Sequence, residues 1–117
     1  SGALEKQPFG FNTRFEDKPG TNPEELVAAA HSSCFSMALS LALTEAGFVA
    51  DDITTKATVS LDEVDEGFEV SHIALDVSAK IKEISSEKFE QLCDQTKQGC
   101  PISKLMNAEI SLTTTLN

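Results

Sequence analysis

Basic residues are scarce in this sequence: nine Lys and Arg stand against nineteen Asp and Glu, and the net charge is −10. A surface of this sign repels the phosphates of nucleic acids and of anionic membranes, so neither is expected as a partner. No uninterrupted run approaches the roughly 18 apolar residues that cross a membrane, and no secretory signal is visible. These absences predict a soluble, cytoplasmic protein.

Cysteine is scarce as well. The chain has three cysteines, an odd number, and no two of them form a Cys-x-x-Cys pair. A disulfide-stapled extracellular scaffold is therefore disfavoured, and reduced thiols that carry chemistry are the better interpretation. A length of 117 residues with 40% hydrophobic content suits one compact domain, which we expect to cover residues 1–117.

The most regular stretch predicts one long apolar helix. Thr21 or Asn22 can cap it, Pro23 suits its first position, and Gly47 follows its end. Between residues 26 and 46 apolar side chains occupy most faces, which predicts a helix that is mostly buried. A domain of this size can hardly enclose such a helix with its own chain, so a dimer partner is the simplest cover.

The remaining segments predict a mixture of strands and helices. Alternating apolar and polar residues predict strands over residues 53–61 and 73–81, with a bulge or a late start near Val70 in the second. A serine-capped helix then ends at Gly99, and a short helix and a terminal strand follow it. Residues 7–20, rich in Gly, Pro and Phe, are expected to be extended between turns.

Two of the three cysteines stand in unusual settings. Cys100 lies between a helix-ending Gly99 and a helix-starting Pro101, where unpaired amides lower the pKa of a thiol, although a plain turn cysteine is the simpler interpretation. Cys34 lies in the middle of the long helix, where the dipole gives little help, so a thiolate there needs a cation from elsewhere. Cys93, on the apolar stripe of its helix, is interpreted as a packing residue.

Arg14 is the only arginine in the chain and the candidate for that cation. Its permanent charge and fixed fork of donors can hold a thiolate and align an oxygen acceptor beside it. Glu24 or Glu25 can fix its orientation through a bidentate pair, although both acids also complement the start of the helix. The plainer interpretation of Arg14 is a surface side chain beside Glu16.

His31, three residues before Cys34 on roughly the same helix face, leaves two other chemistries open. A cysteine hydrolase would use His31 as a base, but no orienting acid or oxyanion hole is recognisable. A zinc site could combine His31, Cys34 and Cys100, but it lacks a fourth ligand at a familiar spacing. A buried, hydrogen-bonded histidine is the default expectation.

Three stretches of the sequence match a known family. Residues 7–17 (QPFGFNTRFED), 20–48 (GTNPEELVAAAHSSCFSMALSLALTEAGF) and 99–112 (GCPISKLMNAEISL) resemble the osmotically inducible protein C (OsmC) and organic hydroperoxide resistance (Ohr) family of hydroperoxide reductases. The resemblance runs from about Gly2 to the C-terminus and is nearer to the OsmC branch. Family members usually have a further strand or hairpin before the segment that matches Gly2, so the domain is expected to lack it.

The resemblance implies roles for four residues. Cys34 would be the peroxidatic thiol, which forms a sulfenic acid, and Cys100 the resolving thiol, which closes a disulfide onto it. Arg14 would activate the thiolate and contact the peroxide, and Glu24 would orient the arginine. The implied reaction reduces organic hydroperoxides to alcohols, and hydrogen peroxide less well. An external dithiol, with a lipoyl-bearing protein as candidate, would restore the thiols, and no metal or bound organic cofactor is implied.

The resemblance also implies an α+β fold, with two long central helices wrapped by antiparallel sheets in an intertwined homodimer, and an antioxidant role under oxidative or osmotic stress. Helix geometry adds a restriction: Glu24 and Cys34 are ten residues apart, about 15 Å along one helix. The carboxylate at each site is therefore expected to come from the partner subunit, with the central helices antiparallel across a two-fold axis. The competing interpretation is a non-enzymatic thiol redox sensor or a hydrophobic-ligand binding module.

Overall fold

Four helices and three strands make up the protein in the computed structural model, which describes residues 1–117. The architecture is α+β, as expected. In chain order the elements are helix α1 Phe11–Phe15, helix α2 Pro23–Glu45, strand β1 Ala50–Val64, strand β2 Gly67–Ile81, helix α3 Ser86–Gly99, helix α4 Pro101–Leu105 and strand β3 Glu109–Leu116.

The three strands form one sheet in the order β1-β2-β3. β1 and β2 are an antiparallel hairpin, and Ser71 of β2 is the extra residue where the register shifts between Val70 and His72. This bulge confirms the irregularity predicted near Val70. β2 and β3 are parallel, which differs from the expected antiparallel arrangement. The reason is the connection, because α3 and α4 return the chain to the starting end of β2 before β3 begins.

α2 and α3 begin and end where their sequence signals predict. The Oδ1 atom of Asn22 accepts the backbone N–H of Glu25 at 2.8 Å, and the Oγ atom of Ser85 accepts that of Lys88 at 3.1 Å. These caps satisfy amides that the first turn of a helix leaves free. After α2, Gly47 has φ +88°, a left-handed conformation that glycine adopts without strain.

The core lies where α2 packs against β1 and α3. Phe35, Leu39 and Leu43, spaced four residues apart along α2, are at most 1% exposed. The inward residues of β2 and the apolar stripe of α3 complete this core with Ile73, Leu75, Val77, Ala79, Ile81, Phe89, Leu92 and Cys93. Cys93 is fully buried, and burial raises its pKa to about 12, which confirms its interpretation as a packing residue.

The opposite face of α2 is open in a single chain, contrary to the expectation that the helix is mostly buried. Met37 and Leu41 are 74% and 59% exposed, because one chain covers only one side of the helix. By length and composition alone, with a mean hydropathy of 1.6, α2 could cross a membrane. Core helices of soluble proteins have the same length and composition, so this property is weak evidence for a span and does not overturn the sequence-based expectation.

Residues 7–20 were expected to be extended, but they contain the short helix α1. The hydroxyl of Thr13 explains the turn, because its Oγ1 atom accepts the N–H of Gly10 and donates to the carbonyl of Gly10, each at 2.8 Å. Gly20 allows the segment to close, since a Cβ atom there would lie 2.6 Å from a carbonyl oxygen of the facing backbone. The result holds Arg14, at the end of α1, beside the start of α2.

Candidate active site

Two sulfur atoms from remote parts of the chain meet beside α2. Cys34 projects from the middle of α2, and Cys100 lies between α3 and α4, 66 positions later. Their Sγ atoms are 3.1 Å apart, and both thiols are free. A disulfide between them would need only a small approach of the two sulfurs. We call this pair the cysteine half-site.

Cys100 lies in a setting that favours its thiolate. Burial alone would raise its pKa, but the hydrogen bond from Cys34, the backbone amides of Ser103 and Ile102 and the hydroxyl of Ser103 outweigh burial, so the pKa is lowered. These amides belong to the first turn of α4, where no helical partner accepts them. The lowered pKa confirms the expectation drawn from the Gly99-Cys100-Pro101 junction.

Cys34 has the opposite tendency. Its hydrogen bond with Cys100 raises its pKa, burial and the charge of Cys100 raise it further, and the amide of Ile102 offsets only part of the effect. Within one chain Cys100 is therefore the thiol of the pair that ionises more readily. This agrees with the prediction that Cys34 needs a cation from elsewhere to ionise.

The two thiols also differ in solvent access, and Cys34 is the accessible one. Cys100 is 0% exposed, whereas Cys34 is partly exposed and lines an open groove of about 560 Å³. The other residues of the groove are mostly apolar: Ser33, Met37, Ala38, Leu41 and Ile102. A substrate can therefore reach Cys34 directly but not Cys100.

Arg14 and Glu24 form a second cluster, which we call the arginine half-site. The Nε atom of Arg14 donates to both carboxylate oxygens of Glu24 at 3.1 Å, and Nη2 donates to Oε1. The hydrogen bond lowers the pKa of Glu24 and raises that of Arg14. Glu25 instead accepts the hydroxyl of Thr21 at 2.7 Å, so Glu24 is the carboxylate that orients the arginine.

The two half-sites of one chain are separate. The cavities beside Arg14, of about 480 and 320 Å³, include neither cysteine of the pair. No hydrogen bond joins Arg14 to Cys34, and Glu24 is ten residues, about 15 Å along the helix, from Cys34. The structure thus agrees with the expectation that Glu24 cannot lie beside its own Cys34. Phe9, Phe11 and Phe15 lie around Arg14 rather than around the groove of Cys34.

His31 is fully buried, and its Nε2 atom lies 2.7 Å from the Oγ atom of Ser103. Its Nδ1 atom has no hydrogen-bond partner, and burial lowers its pKa. This confirms the default expectation of a buried, hydrogen-bonded histidine. The hydrolase alternative is weakened because the bonded nitrogen of His31 faces Ser103. The zinc alternative receives no support, because no group of three or more His, Cys, Asp or Glu side chains could hold a metal ion.

Ser103 is the participant that sequence reasoning missed. It is 8% exposed, and it connects His31 to the segment that carries Cys100. Its only sequence signal is its place three residues after Cys100, at the third position of α4, where a side chain can face the residue that caps the helix. The capping preference at the third position is for Glu or Gln rather than Ser, so the signal was weak.

Comparisons with known proteins show the family of the chain. Residues 15–115 match the family model described as OsmC-like protein. The chain is 54% identical over 112 residues to Peroxiredoxin OsmC of Escherichia coli (strain K12), a match that covers 96% of this chain and 78% of that protein. Organic hydroperoxide resistance protein OhrB of Bacillus subtilis is 30% identical over 102 residues, covering 86% of this chain and 73% of that protein.

A solved structure extends the likeness to the fold. The OsmC like protein from Mycoplasma pneumoniae superposes with a TM-score of 0.76 at 16% identity, over 87% of this chain and 76% of that chain. At this identity the likeness concerns the fold alone. The expected OsmC-like α+β fold is therefore confirmed.

Proposed function

This chain belongs to the OsmC-like protein family, and on that premise we propose that it is a thiol peroxidase that reduces organic hydroperoxides, and hydrogen peroxide less well, through Cys34 and Cys100. Thiol-dependent peroxidase activity is the function that family membership and the names of its relatives support. The observation that carries the residue assignment is the 3.1 Å separation of the Cys34 and Cys100 sulfurs. The whole chain would act as one domain of a soluble, cytoplasmic antioxidant enzyme, induced by oxidative or osmotic stress.

Cys34 is the peroxidatic thiol, because it is the member of the pair that solutes can reach. Its thiolate attacks one oxygen of the hydroperoxide, the S–O bond forms as the O–O bond breaks, and the alkoxide takes a proton and leaves as the alcohol. Cys34 is thereby oxidised to a sulfenic acid. Cys100 then attacks the Cys34 sulfur as a thiolate, the disulfide forms, and the hydroxide that leaves takes a proton to become water.

The cation for Cys34 comes from a second copy of the chain. The surroundings of Cys34 within its own chain raise its pKa, and its own Arg14 is held on Glu24 about 15 Å away. In an antiparallel, two-fold pair of α2 helices that cross near residue 29, midway between positions 24 and 34, the partner's Glu24 faces Cys34. Ala29 and Ala30 are exposed at that point, and their small side chains permit a close crossing.

The lining of the site supports an organic substrate. The groove at Cys34 is mostly apolar, and the proposed dimer would add exposed Phe9, Phe11 and Phe15 of the partner's arginine half-site. Such a surface gains from burying a bulky apolar group, which hydrogen peroxide does not have. Stopped-flow consumption of cumene hydroperoxide should therefore be faster than that of hydrogen peroxide, and equal rate constants would remove the organic preference.

An external dithiol completes the cycle, and a lipoyl-bearing protein is our candidate. In the oxidised protein the incoming thiol can reach Cys34 but not buried Cys100. Attack on Cys34 breaks the disulfide and releases Cys100 as a thiolate, which the start of α4 stabilises, and a leaving thiol of low pKa leaves faster. The second thiol of the dithiol then frees Cys34 as the dithiol closes to its own disulfide.

The residue assignment is tested by mass spectrometry after one equivalent of cumene hydroperoxide. We expect a link between Cys34 and Cys100 with Cys93 free, a persistent sulfenic acid in Cys100→Ser, and no turnover in Cys34→Ser. Cys93→Ser is the matched control and should form the same link. Peroxide consumption by Cys34→Ser at the parent rate would end the proposal, and a parent protein that oxidises once and never recycles would instead be a redox sensor.

A further inference from the structure

Phe68 is a large apolar side chain outside the core, and the proposed peroxide chemistry gives it no role. It lies near the start of β2, at the turn end of the β1–β2 hairpin, and is 57% exposed. Single exposed apolar residues are common on protein surfaces, but Phe68 is not isolated. Its ring contacts that of Phe15 at the end of α1, with the two centroids 5.2 Å apart.

The bulge at Ser71 sets the direction of the Phe68 side chain. From Ile73 onward the odd-numbered residues of β2 face the core, and strict alternation would place Glu69 on the same face. The register shift at Ser71 reverses the alternation, so Val70 packs against the core instead. Phe68, two residues before Val70, therefore lies on the face of the sheet that the helices cover.

Phe15 connects Phe68 to the arginine. Its ring is inclined by 43° to that of Phe68, and their separation is within the range of favourable aromatic pairs. The Cζ atom of Arg14 is 5.2 Å from the centroid of the Phe15 ring, close enough for a cation–π interaction. Phe68, Phe15 and Arg14 thus form a continuous row of contacts from the hairpin to the arginine half-site.

Helix α1 needs such support from the sheet side. A helix of five residues is not stable by itself. Toward α2 it is tied by the pair of Arg14 with Glu24. Toward the sheet, an open cavity of about 480 Å³ separates Arg14 and Phe15 from the middle of β1, and no hydrogen bond joins α1 to either strand of the hairpin. The ring of Phe68 therefore supports α1 where hydrogen bonds do not.

We propose that Phe68 is a positioning residue for Arg14, and that it acts through the Phe15 ring to hold the guanidinium at the angle that serves the peroxidatic thiol. The proposal rests on the proposed function for the role of Arg14. Glu24 occupies Nε and Nη2, whereas Nη1 makes no hydrogen bond and keeps its donors available. Glu24 fixes one edge of the planar guanidinium and Phe15 supports one face, so together they give the plane a single orientation.

The first test needs neither peroxide nor turnover. Arg14 is the only arginine in the chain, so modification by phenylglyoxal, followed by mass spectrometry, reports on this side chain alone. Phe68→Ala should speed the modification roughly threefold to tenfold, the factor that corresponds to one aromatic pair. Phe68→Tyr, which keeps the ring, should react at the rate of the unmodified protein. An unchanged rate in Phe68→Ala would overturn the proposal even if the peroxidase reaction is confirmed.

The matched control for a general loosening of the hairpin is Val64→Ala. Val64 pairs with Gly67 at the same end of the hairpin, whereas Phe68 pairs with Glu63, so Val64 lies on the other face of the sheet. The Val64 variant should leave the rate of Arg14 modification unchanged. An acceleration as large as that of Phe68→Ala would show that the hairpin end, and not the aromatic ring, holds the arginine.

The second test asks whether Phe68 affects the thiol through Arg14. In a Cys100→Ser background, the pH dependence of iodoacetamide alkylation gives the midpoint of Cys34, while Cys93 is buried with a pKa of about 12. Phe68→Ala should raise the Cys34 midpoint by about half to one pH unit, the same factor of three to ten. With Arg14→Ala already present it should cause no further rise.

The outcomes separate this proposal from the proposed function. A rise of the Cys34 midpoint that is equally large without the arginine would overturn the proposal, because Phe68 would then act on the fold and not on Arg14. Faster modification of Arg14 by phenylglyoxal in a protein that consumes no peroxide would support the positioning by Phe68 and reject the proposed function alone.

Discussion

Mixing two inactive variants should restore activity if each site combines residues of two subunits. Arg14→Ala removes the arginine half-site and keeps both reactive thiols, whereas Cys34→Ser removes the peroxidatic thiol and keeps the arginine. In the proposed homodimer, a mixed pair has one site with Cys34 from the first subunit and Arg14 from the second. Its other site has neither, so each heterodimer contains one complete site.

The expected size of the recovery follows from the symmetry. Random exchange of equal amounts gives heterodimers in about half of the pairs, so about one quarter of all sites are complete. Each variant alone should be nearly inactive. Cys34→Ser has lost the reacting thiol, and Arg14→Ala has lost an adjacent cation, which typically lowers a thiol pKa by about two, so its thiolate fraction falls on the order of a hundredfold. Recovery of the mixture to about a quarter of the activity of the unmodified protein would therefore be easily measured.

The assay is dithiol-dependent consumption of cumene hydroperoxide, with subunit exchange checked by native mass spectrometry of differently sized tags. A mixture of Cys34→Ser with Cys100→Ser is the control, because both changes lie in the cysteine half-site and no mixed pair regains a complete one. If the Arg14→Ala and Cys34→Ser mixture exchanges fully and is no more active than either variant alone, the arginine does not act across the interface and the proposed dimer geometry is wrong.

Three further predictions concern the surroundings of the site. Gly20→Ala should lower the free energy of unfolding, measured by chemical denaturation, by on the order of 2 kcal/mol and should also reduce turnover. The reason is that the new Cβ atom would lie 2.6 Å from the carbonyl oxygen of Pro8, in the segment that holds Arg14. Gly99→Ala is the control and should change neither quantity, because the space around Gly99 is open. Glu24→Gln should lower kcat/KM about tenfold, and an unchanged kcat/KM would contradict the orienting role of Glu24. In the unmodified protein the ion pair with Arg14 is lost as pH falls through the lowered pKa of Glu24, so activity should fall there. The Gln variant should show no such fall in activity. Burial raises the pKa of Cys93 from 9.0 to about 12, so the folded state is stabilised while this thiol stays neutral. That contribution to the free energy of unfolding, about 4 kcal/mol, is complete below pH 9.0 and is lost as the pH rises through about 12. Cys93→Ala should flatten that alkaline loss in denaturation curves, and an equally steep loss would mean that another group causes it.

The helix ends were predictable because their signals are local. Asn22 and Ser85 cap α2 and α3 through bonds that span three residues, and the Gly47 stop needs nothing beyond its own backbone. The lowered pKa of Cys100 was predictable only in part, because the hydrogen bond with Cys34 that lowers it most spans 66 positions, whereas the amides of Ile102 and Ser103 that also lower it belong to the next turn of the chain.

Features that depend on contacts across the fold were not predictable in the same way. Helix α1 was missed for a different reason: the Thr13 hydroxyl that bonds back to Gly10 is a local contact, but the composition of its segment favours turns. The parallel pairing of β3 depends on where α3 and α4 end, which alternation within a strand does not reveal. The Ser103 contact with His31 spans 72 positions and has no local signal of its own.

The separation of the two half-sites affects which of the two thiols ionises. In one chain the pKa of buried Cys100 is lowered and that of accessible Cys34 is raised, so the thiol that ionises more readily is the one that a peroxide cannot reach. A nearby guanidinium would reverse the preference, because an opposite charge stabilises the ionised form of the thiol closest to it. In the proposed dimer only the partner's arginine half-site can do this, so an unassembled chain would have thiols that react slowly with peroxides. Assembly would then supply more than a cover for the exposed face of α2, because it would decide which of the two sulfurs is the nucleophile.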